Sequence, residues 1–450
     1  MSQQALDLFV LTYNCAHNAI DVPSLSSTLF NAVDHVPDLL IISLQEMSPL
    51  SHGLIGGSLL TPFFSRISEA VEIAARKLSG DSPVADSSAN ARIFTSVAIR
   101  NIGMTGIMAF SRDAAAIQNL QTGEVGLGVS SMGNKGGVGL RFTYSDAKSG
   151  GETELTFVAA HLAAMEWDWE RRNEDWKNIV RRLVFTPANG GEGGNASKAR
   201  VGSEEAPLLG ESEAANGIYK PTSHLFVAGD LNYRTSDIKP GPDDHKVSFP
   251  QPHDSVESPR HYSHLFKHDQ LTRERLAGRT FQGLSEAPVT FPPTYKFDSG
   301  PYLTADEDTK EWAWAQHRWP SWTDRVLYLD APKWMERKDQ NARIEVKKYE
   351  PLPLFKTSDH RPVFMSVKVP LVGIPEPDED EDAASSDPRI NPPFDIDPEW
   401  STARAIARKE ELVVGVTGYL TGTWEGRCII AGTFAALVGG YFLCLAAFAQ

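Results

Sequence analysis

Asp230, Asn232 and Arg234 occupy alternate positions directly after the apolar run Leu225-Phe226-Val227-Ala228. A carboxylate, a carboxamide and a guanidinium at the end of a buried strand suit a phosphate and the water that attacks it. The carboxylate can take up a water hydrogen bond or proton, the amide can orient the water, and the guanidinium fork matches phosphate oxygens. On an extended chain, Asp230 and Asn232 share one side. Gly229 is expected to end the strand and admit the turn. An Asp/Asn turn that closes a strand accounts for the hexapeptide equally well, so the rest of the chain must decide.

Other polar residues also sit where apolar runs end. Asn14 follows a first run and Glu46 a second, and hard oxygen ligands of this kind suit Mg²⁺. Ser131-Met132-Gly133-Asn134-Lys135-Gly136-Gly137-Val138 joins glycines, which allow close backbone approach, to an amide and a point charge for phosphate. Its spacing is not that of a P-loop. His161 ends a further run. Later come Pro293-Thr294-Tyr295-Lys296, Trp322-Thr323-Asp324-Arg325 and Ser358-Asp359-His360-Arg361-Pro362. A histidine just before a strand suits acid/base work or a donor to a transition state. The residues alone do not say which carboxylate orients His360. Cys15 lies in no loop of the kind that makes a nucleophilic phosphatase cysteine. Singly, each motif has a structural explanation; together they point to phosphate chemistry.

The elements that must hold these residues read as alternating strands and helices. Strands are expected over 7–13, 38–44, 92–99, 104–110, 137–142, 155–161, 324–329, 344–349 and 362–369, besides the run before Gly229. Helices are expected over 25–36, 61–78, 166–185 and 262–276. Trp169, Trp176, Ile179 and Leu183 form one stripe, read as core packing. Residues 81–90 read as a polar loop. Residues 188–221 are poor in apolar side chains and read as a disordered insertion. Mixed strands and helices with polar residues at successive strand ends suggest an α/β sandwich.

The net charge of −15 excludes a general nucleic-acid binder. Most of that charge, −9, lies between Pro375 and Trp400, where ten acids face the single base Arg389. This acidic stretch, 373–400, is expected to be a flexible linker, and 401–427 a juxtamembrane segment. Cys428 to Ala449 carries no charge, and at about 1.5 Å per residue it is long enough to cross roughly 30 Å of hydrocarbon. It reads as a transmembrane tail anchor inserted after synthesis. Arg404, Arg408, Lys409 and Arg427 lie on its cytosolic side. The span is rich in Gly and Ala and has no basic cluster after it, which favours the endoplasmic reticulum membrane over the mitochondrial outer membrane. Three scattered cysteines fit a reducing compartment.

Taken in order from Leu8 to about Val369, these motifs resemble the inositol polyphosphate 5-phosphatase family of the DNase I-like endonuclease/exonuclease/phosphatase superfamily, in a tail-anchored, fungal-type form. The PTYK and WxDR elements favour 5-phosphatases over nuclease relatives. Thr323 stands where the family usually has Cys, and Met165 where many members have His.

The resemblance implies a four-layer α/β sandwich with two central mixed sheets over residues 1–372, followed by a single C-terminal transmembrane helix. It implies Mg²⁺ held by Glu46 with help from Asn14, Asp230 activating water, and Asn232 orienting water and phosphate. His360, supported by Asp359, and His161 would stabilise or protonate phosphoryl oxygens. Asn134, Lys135, Arg234, Tyr295 and Lys296 would grip the inositol phosphates, with Asp324 and Arg325 closing the site. The expected reaction is hydrolysis of the 5-phosphate of a membrane phosphoinositide, most simply phosphatidylinositol 4,5-bisphosphate. The alternatives are a nuclease or phosphodiesterase on the same fold, or an inactive lipid-binding scaffold. The acidic balance weighs against the first and the intact ligand set against the second.

Overall fold

The computed structural model describes residues 5–80, 92–188, 216–298, 310–339, 342–377 and 386–448. Its strands are β1 (Ala5–Asn14), β2 (Leu39–Gln45), β3 (Thr95–Ile102), β4 (Thr105–Ser111), β5 (Ile117–Gly126), β6 (Gly136–Ser145), β7 (Glu152–His161), β8 (Thr186–Pro187), β9 (Ser223–Asp230), β10 (Leu284–Ser285), β11 (Asp324–Leu329), β12 (Glu345–Pro351) and β13 (Val363–Pro370). They form one sheet in the order β12-β13-β1-β2-β4-β3 and a second in the order β10-β11-β9-β7-β6-β5-β8. The β1–β2 and β7–β9 pairs are parallel and the other pairs antiparallel, so both sheets are mixed.

Strands buried on both faces read as near-continuous apolar runs, and β2 and β9 are buried along their whole length. Between the sheets, Leu8, Val10 and Ile41 meet Leu140, Phe157 and Phe226. The outer face of the first sheet packs Phe9, Leu11 and Ile42 on the Thr61–Ser79 helix through Ile67 and Val71. The outer face of the second packs Val158 and Val227 on the Trp169–Arg182 helix through Trp176 and Ile179. The result is the expected helix–sheet–sheet–helix sandwich. Trp176, Ile179 and Leu183 are core, as their spacing implied, but Trp169 on the same stripe is only half-buried, with the Arg273 guanidinium over its ring at 5.2 Å.

Several elements depart from the sequence reading. The helix expected over 25–36 is Val22–Thr28. Asp21 caps it by accepting from the Ser24 amide, Pro23 opens it, and the chain then turns. The helix expected over 262–276 is two, Tyr262–Phe266 and Gln270–Leu276, because Asp269 accepts from the Thr272 amide and caps a new start. β5 was not anticipated. Its Gln118, Asn119, Gln121 and Thr122 are polar because the strand lies near the sheet's edge, where only β8 covers it. The loop expected at 81–90, and all but the ends of the insertion expected at 188–221, lie outside the described residues.

The acidic stretch is not loose where it is described. Arg389 is buried, donating to the carbonyls of Ser223 and Leu329 and pairing with Asp387 at 3.0 Å, while Asp397 pairs with Arg182 at 2.8 Å. After it, Trp400–Gly422 is a helix packed on the catalytic body. Thr423, in an extended conformation, separates it from a second helix, Trp424–Phe448. Of the latter, Trp424–Leu445 is long and apolar enough to cross a membrane and is not buried by the protein.

Candidate active site

Strand register brings the chemistry together. His161, the last residue of β7, pairs with Asp230, the last of β9, and Asp230 pairs with Asp324, the first of β11. Gly136, which opens β6, pairs with His161 from the other side and places Lys135 beside it. In the first sheet, Asn14 ends β1 opposite Gln45, the residue before Glu46. Both sheets therefore present their polar strand ends to one cleft.

Gly229 has a different role from the one expected. It lies inside β9, and a Cβ there would come within 2.0 Å of the Ala160 carbonyl oxygen, so only glycine allows the close approach to β7. The turn comes later, at Asn232, whose φ is +58°. Asp230 and Asn232 are therefore not neighbours on one extended edge. The Asn232 amide donates back to Asp230 Oδ1 at 3.1 Å, and its Nδ2 donates to the Leu162 carbonyl at 3.1 Å. Asn residues tolerate left-handed backbone, and such positions gather at functional sites.

Asp230 sits at the centre. Its Oδ2 accepts from Asn14 Nδ2 at 2.9 Å and lies 3.4 Å from His161 Nε2. Burial alone would raise its pKa. The hydrogen bond from His161 and the charges of His360 and Lys135 outweigh burial and hold Asp230 well below the usual carboxylate range. It stays ionised.

The two histidines differ. Lys135 Nζ lies 2.6 Å from His161 Nε2. Burial, then the Lys135 charge, lowers the His161 pKa, and burial lowers that of Lys135. His360 Nδ1 is 2.9 Å from Asp324 Oδ2, which also accepts from Thr294 Oγ1 at 2.7 Å and Thr323 Oγ1 at 2.9 Å. Burial would depress His360, but Asp324, Asp230 and Asp359 push it up to about 10. It is a cation at neutral pH.

This geometry corrects two assignments. Asp324, expected to close the site against substrate, is fully buried behind His360 and orients it. Asp359, expected in that supporting role, accepts instead from Lys296 Nζ and stands 3.8 Å from His360 Nε2. Arg325 is also not at the cleft. Its guanidinium is consumed in a buried cluster with Asp269 at 3.1 Å and Glu286 at 2.6 Å. As the residue after Asp324 on a strand, it points to the opposite face of the sheet.

Arg234, Tyr295, Lys296 and Lys135 do gather at the cleft, with Asn134 next to Lys135 in the loop before β6. The Arg234 guanidinium lies over the Tyr295 ring at 4.4 Å, and Tyr295 packs against His360 with ring centroids 4.4 Å apart and the planes tilted by 39°. Arg234 donates to the Asn232 carbonyl and side-chain oxygen, while its buried Nη1 has no protein partner. Buried polar groups are normally satisfied, so this guanidinium nitrogen suits a bound anion. Asn134 Oδ1, also without a hydrogen-bond partner, lies against Gly128 instead.

Some supporting residues were not anticipated. Asp175 Oδ2 accepts from the Ala163 amide at 2.8 Å, and Arg172 donates to the carbonyls of Ala163 and Met165. Both project from the Trp169–Arg182 helix and shape the loop after His161. Their signal was charge on an otherwise apolar helix face. Ser358 Oγ donates to the Asn14 carbonyl at 2.6 Å and ties the His360 loop to β1.

Glu46 turns into the cleft with φ +46°. Its ion-pair contacts among the described residues are imidazoles only, His17 at 3.1 Å and His161 at 3.8 Å. Asp230 lies on the same His161 Nε2, at 3.4 Å, and accepts from Asn14, so carboxylate and amide oxygens of the kind hard divalent cations take meet here and fit a metal. The buried ligand atoms of Asp230, Asp324 and His360 also lie within 4.8 Å of one another. Since His360 Nδ1 is already engaged by Asp324, that trio reads as an oriented acid pair.

Similarity to known proteins agrees with this site. A model of the Endonuclease/Exonuclease/phosphatase family 2 matches residues 11–366. The chain is 30% identical over 280 residues to the inositol-1,4,5-trisphosphate 5-phosphatase 1 of Schizosaccharomyces pombe, a match covering 60% of this chain and 19% of that protein. It is 31% identical over 270 residues to the type II inositol 1,4,5-trisphosphate 5-phosphatase of Mus musculus, covering 59% of this chain and 22% of the relative. It thus spans about a fifth of the length of these relatives. The fold is similar to the crystal structure of the inositol polyphosphate 5-phosphatase domain of SPsynaptojanin with inositol (1,4)-bisphosphate and calcium, at a TM-score of 0.54 and 23% identity, covering 91% of this chain and 94% of that one. With the match running through every strand-end motif from Asn14 to His360, the chain belongs to the Endonuclease/Exonuclease/phosphatase family 2, and the relatives it resembles are inositol polyphosphate 5-phosphatases.

Proposed function

We propose that this protein is a Mg²⁺-dependent phosphatase that removes the 5-phosphate of a membrane phosphoinositide, most simply phosphatidylinositol 4,5-bisphosphate. The observation that carries the reading is the row His161, Asp230 and Asp324, aligned by strand register at the mouth of one cleft, with His360 held on Asp324 from the loop before β13. Asp230, held ionised, accepts a hydrogen bond from the attacking water and aims it at phosphorus. Asn232 fixes the water and a phosphoryl oxygen. His360, held cationic by Asp324, donates to the oxygens where charge builds in the transition state, the kind of preorganised donor that contributes most to such barriers. Lys135, Asn134, Arg234, Tyr295 and Lys296 bind the remaining phosphates. Glu46 and Asn14 are suited to hold Mg²⁺, which, when bound, supplies charge neutralisation at the scissile phosphate.

Lipid rather than soluble substrate is supported by the apolar Trp424–Leu445 helix, which would hold the cleft near a bilayer and raise the effective substrate concentration. Phosphate release from phosphatidylinositol 4,5-bisphosphate vesicles should require Mg²⁺ and fall by at least about 10²-fold in Asp230→Ala. Release unaffected by EDTA or by that substitution would refute the reading. The proposed membrane is the endoplasmic reticulum, supported by a span of only moderate, Gly- and Ala-rich hydrophobicity. A reporter carrying residues 400–450 should stain that membrane, and a diffuse signal would refute the anchor.

A further inference from the structure

The Trp400–Gly422 helix was expected only to connect the enzyme to its anchor, yet it reaches the active-site loops. Glu411, fully buried on this helix, accepts from the backbone amide of Gly133 at 2.9 Å. Gly133 directly precedes Asn134 and Lys135. The carboxylate is held by both oxygens on Arg404, at 2.7 and 2.9 Å, and by Arg408 at 3.2 Å. Arg404 also pairs with Glu124 on β5 at 2.7 Å, and Arg408 donates to the carbonyls of Leu54 and Ile55. These two arginines, read from the sequence as charges for the cytosolic membrane face, are therefore committed inside the protein.

Other contacts fix the same geometry. Gly415 lies against the Leu50–Ile55 helix, where a Cβ would meet Leu54 Cβ at 3.0 Å. That short helix begins four residues after Glu46. On its other side, Gly133 is pressed on Gly103, whose own Cβ would come within 1.8 Å of the Gly133 carbonyl oxygen. The loop is thus clamped between β3–β4 and the C-terminal helix. A buried carboxylate with two arginines is a costly arrangement that contributes little net stability over apolar packing. What it provides here is a fixed acceptor for one amide at the edge of the substrate site.

We propose that the Trp400–Gly422 helix is a brace of the active site, and that Glu411 is a positioning residue that fixes Gly133 and, through it, Asn134 and Lys135 for the substrate phosphates. The inference rests on the reading of Asn134 and Lys135 as substrate contacts. It makes the membrane-proximal helix part of the catalytic body, so that the segment entering the bilayer is joined rigidly to the loop that binds the head group.

The test uses the full chain in detergent with soluble inositol 1,4,5-trisphosphate, so that membrane delivery plays no part. Glu411→Ala should raise KM about tenfold, the loss of one charge-assisted contact, with kcat within about twofold. Amide exchange of residues 127–136 should rise in parallel. Glu411→Gln, which keeps an acceptor for Gly133, should restore KM to within about threefold. Gly415→Val, which pushes the helix off Leu54 without touching Glu411 or the two sheets, should reproduce the KM effect and decides the matter if Glu411→Ala does not fold. Lys409→Ala, exposed on the same helix, is the control and should match wild type. Wild-type KM and exchange in both Glu411→Ala and Gly415→Val, or an equal KM rise in Lys409→Ala, would overturn the brace. If the wild-type chain released no phosphate from this soluble substrate, the vesicle assay would still decide the activity reading, and the exchange measurement would decide the brace by itself.

Discussion

On one wall of the cleft His161 faces the ammonium of Lys135 at 2.6 Å; on the other, His360 faces the carboxylate of Asp324 at 2.9 Å. Both imidazoles are buried, and burial alone would keep both neutral. Around His161, burial and the Lys135 charge outweigh Asp230 and Glu46 and keep the ring neutral, whereas around His360 the carboxylates outweigh burial and make it a cation with a pKa of about 10. The same residue type, at a strand end and in a loop, thus yields a neutral group beside Asp230 and a cation beside Asp324. Pairs of titratable groups pushed apart in this way separate the roles at an active site.

The comparison is most directly broken at Asp324. Asp324→Asn keeps the shape and an acceptor for Thr294 and Thr323 but removes the charge that holds the His360 proton. kcat should fall about 10²- to 10³-fold, as for loss of a preorganised transition-state donor. The pH dependence follows in sign. A raised histidine pKa means the proton is bound below about 10 and lost as pH rises through that value. Wild-type kcat should therefore show no loss from His360 up to pH 9, while the variant's alkaline limb moves down towards neutrality. A wild-type limb near pH 7, or an unmoved limb in Asp324→Asn, would show that His360 is not a cation in the working enzyme.

These opposite states explain how far the sequence could be read. The strands were legible because apolar runs such as Leu39–Leu44 have little other use, and polar residues after them marked the cleft. Arg325 shows the limit. It follows Asp324 in a motif that resembles one from active sites, but strand alternation turns it to the far face, where Asp269 and Glu286 await it. Neither acid is near it in sequence. The Asp324–His360 pair was equally hidden, because Asp359 is adjacent in the chain while Asp324 opens β11 in the other sheet and meets His360 only across the cleft. The packing of the two sheets, rather than motif, sets this partnership. The C-terminal helix was misread for a related reason: its arginines carry no mark that separates a membrane-facing charge from one neutralised by a buried Glu411.

The Lys135 wall can be sharpened with Lys135→Met, which keeps the apolar stem and deletes the charge. One charge-assisted hydrogen bond is worth about 1.5–3 kcal/mol, so KM should rise roughly tenfold to hundredfold. kcat should stay within about threefold, because the reacting oxygens are served by His360. The same variant removes a cation that depresses His161. Its imidazole resonance should therefore titrate at higher pH than in wild type, yet below an ordinary histidine, because burial, the larger cause, remains. A kcat loss as large as that of Asp324→Asn would mean that the two walls share one role.

The smallest expected effect concerns Thr323, which directly precedes Asp324. Its hydroxyl donates to Asp324 Oδ2 at 2.9 Å and lies 3.4 Å from His360 Nδ1. Thr323→Cys replaces this donor with a weaker one while leaving Thr294 and the carboxylate charge in place. The net value of such a bond is about 1 kcal/mol, so kcat should fall no more than about fivefold, with KM unchanged. The alkaline limb should not move, since Coulomb attraction to carboxylates, not the hydroxyl, keeps His360 charged. A limb displaced as far as in Asp324→Asn would locate the control of His360 in Thr323. The contrast between the walls would then rest on one hydroxyl hydrogen bond rather than on the balance of buried charge.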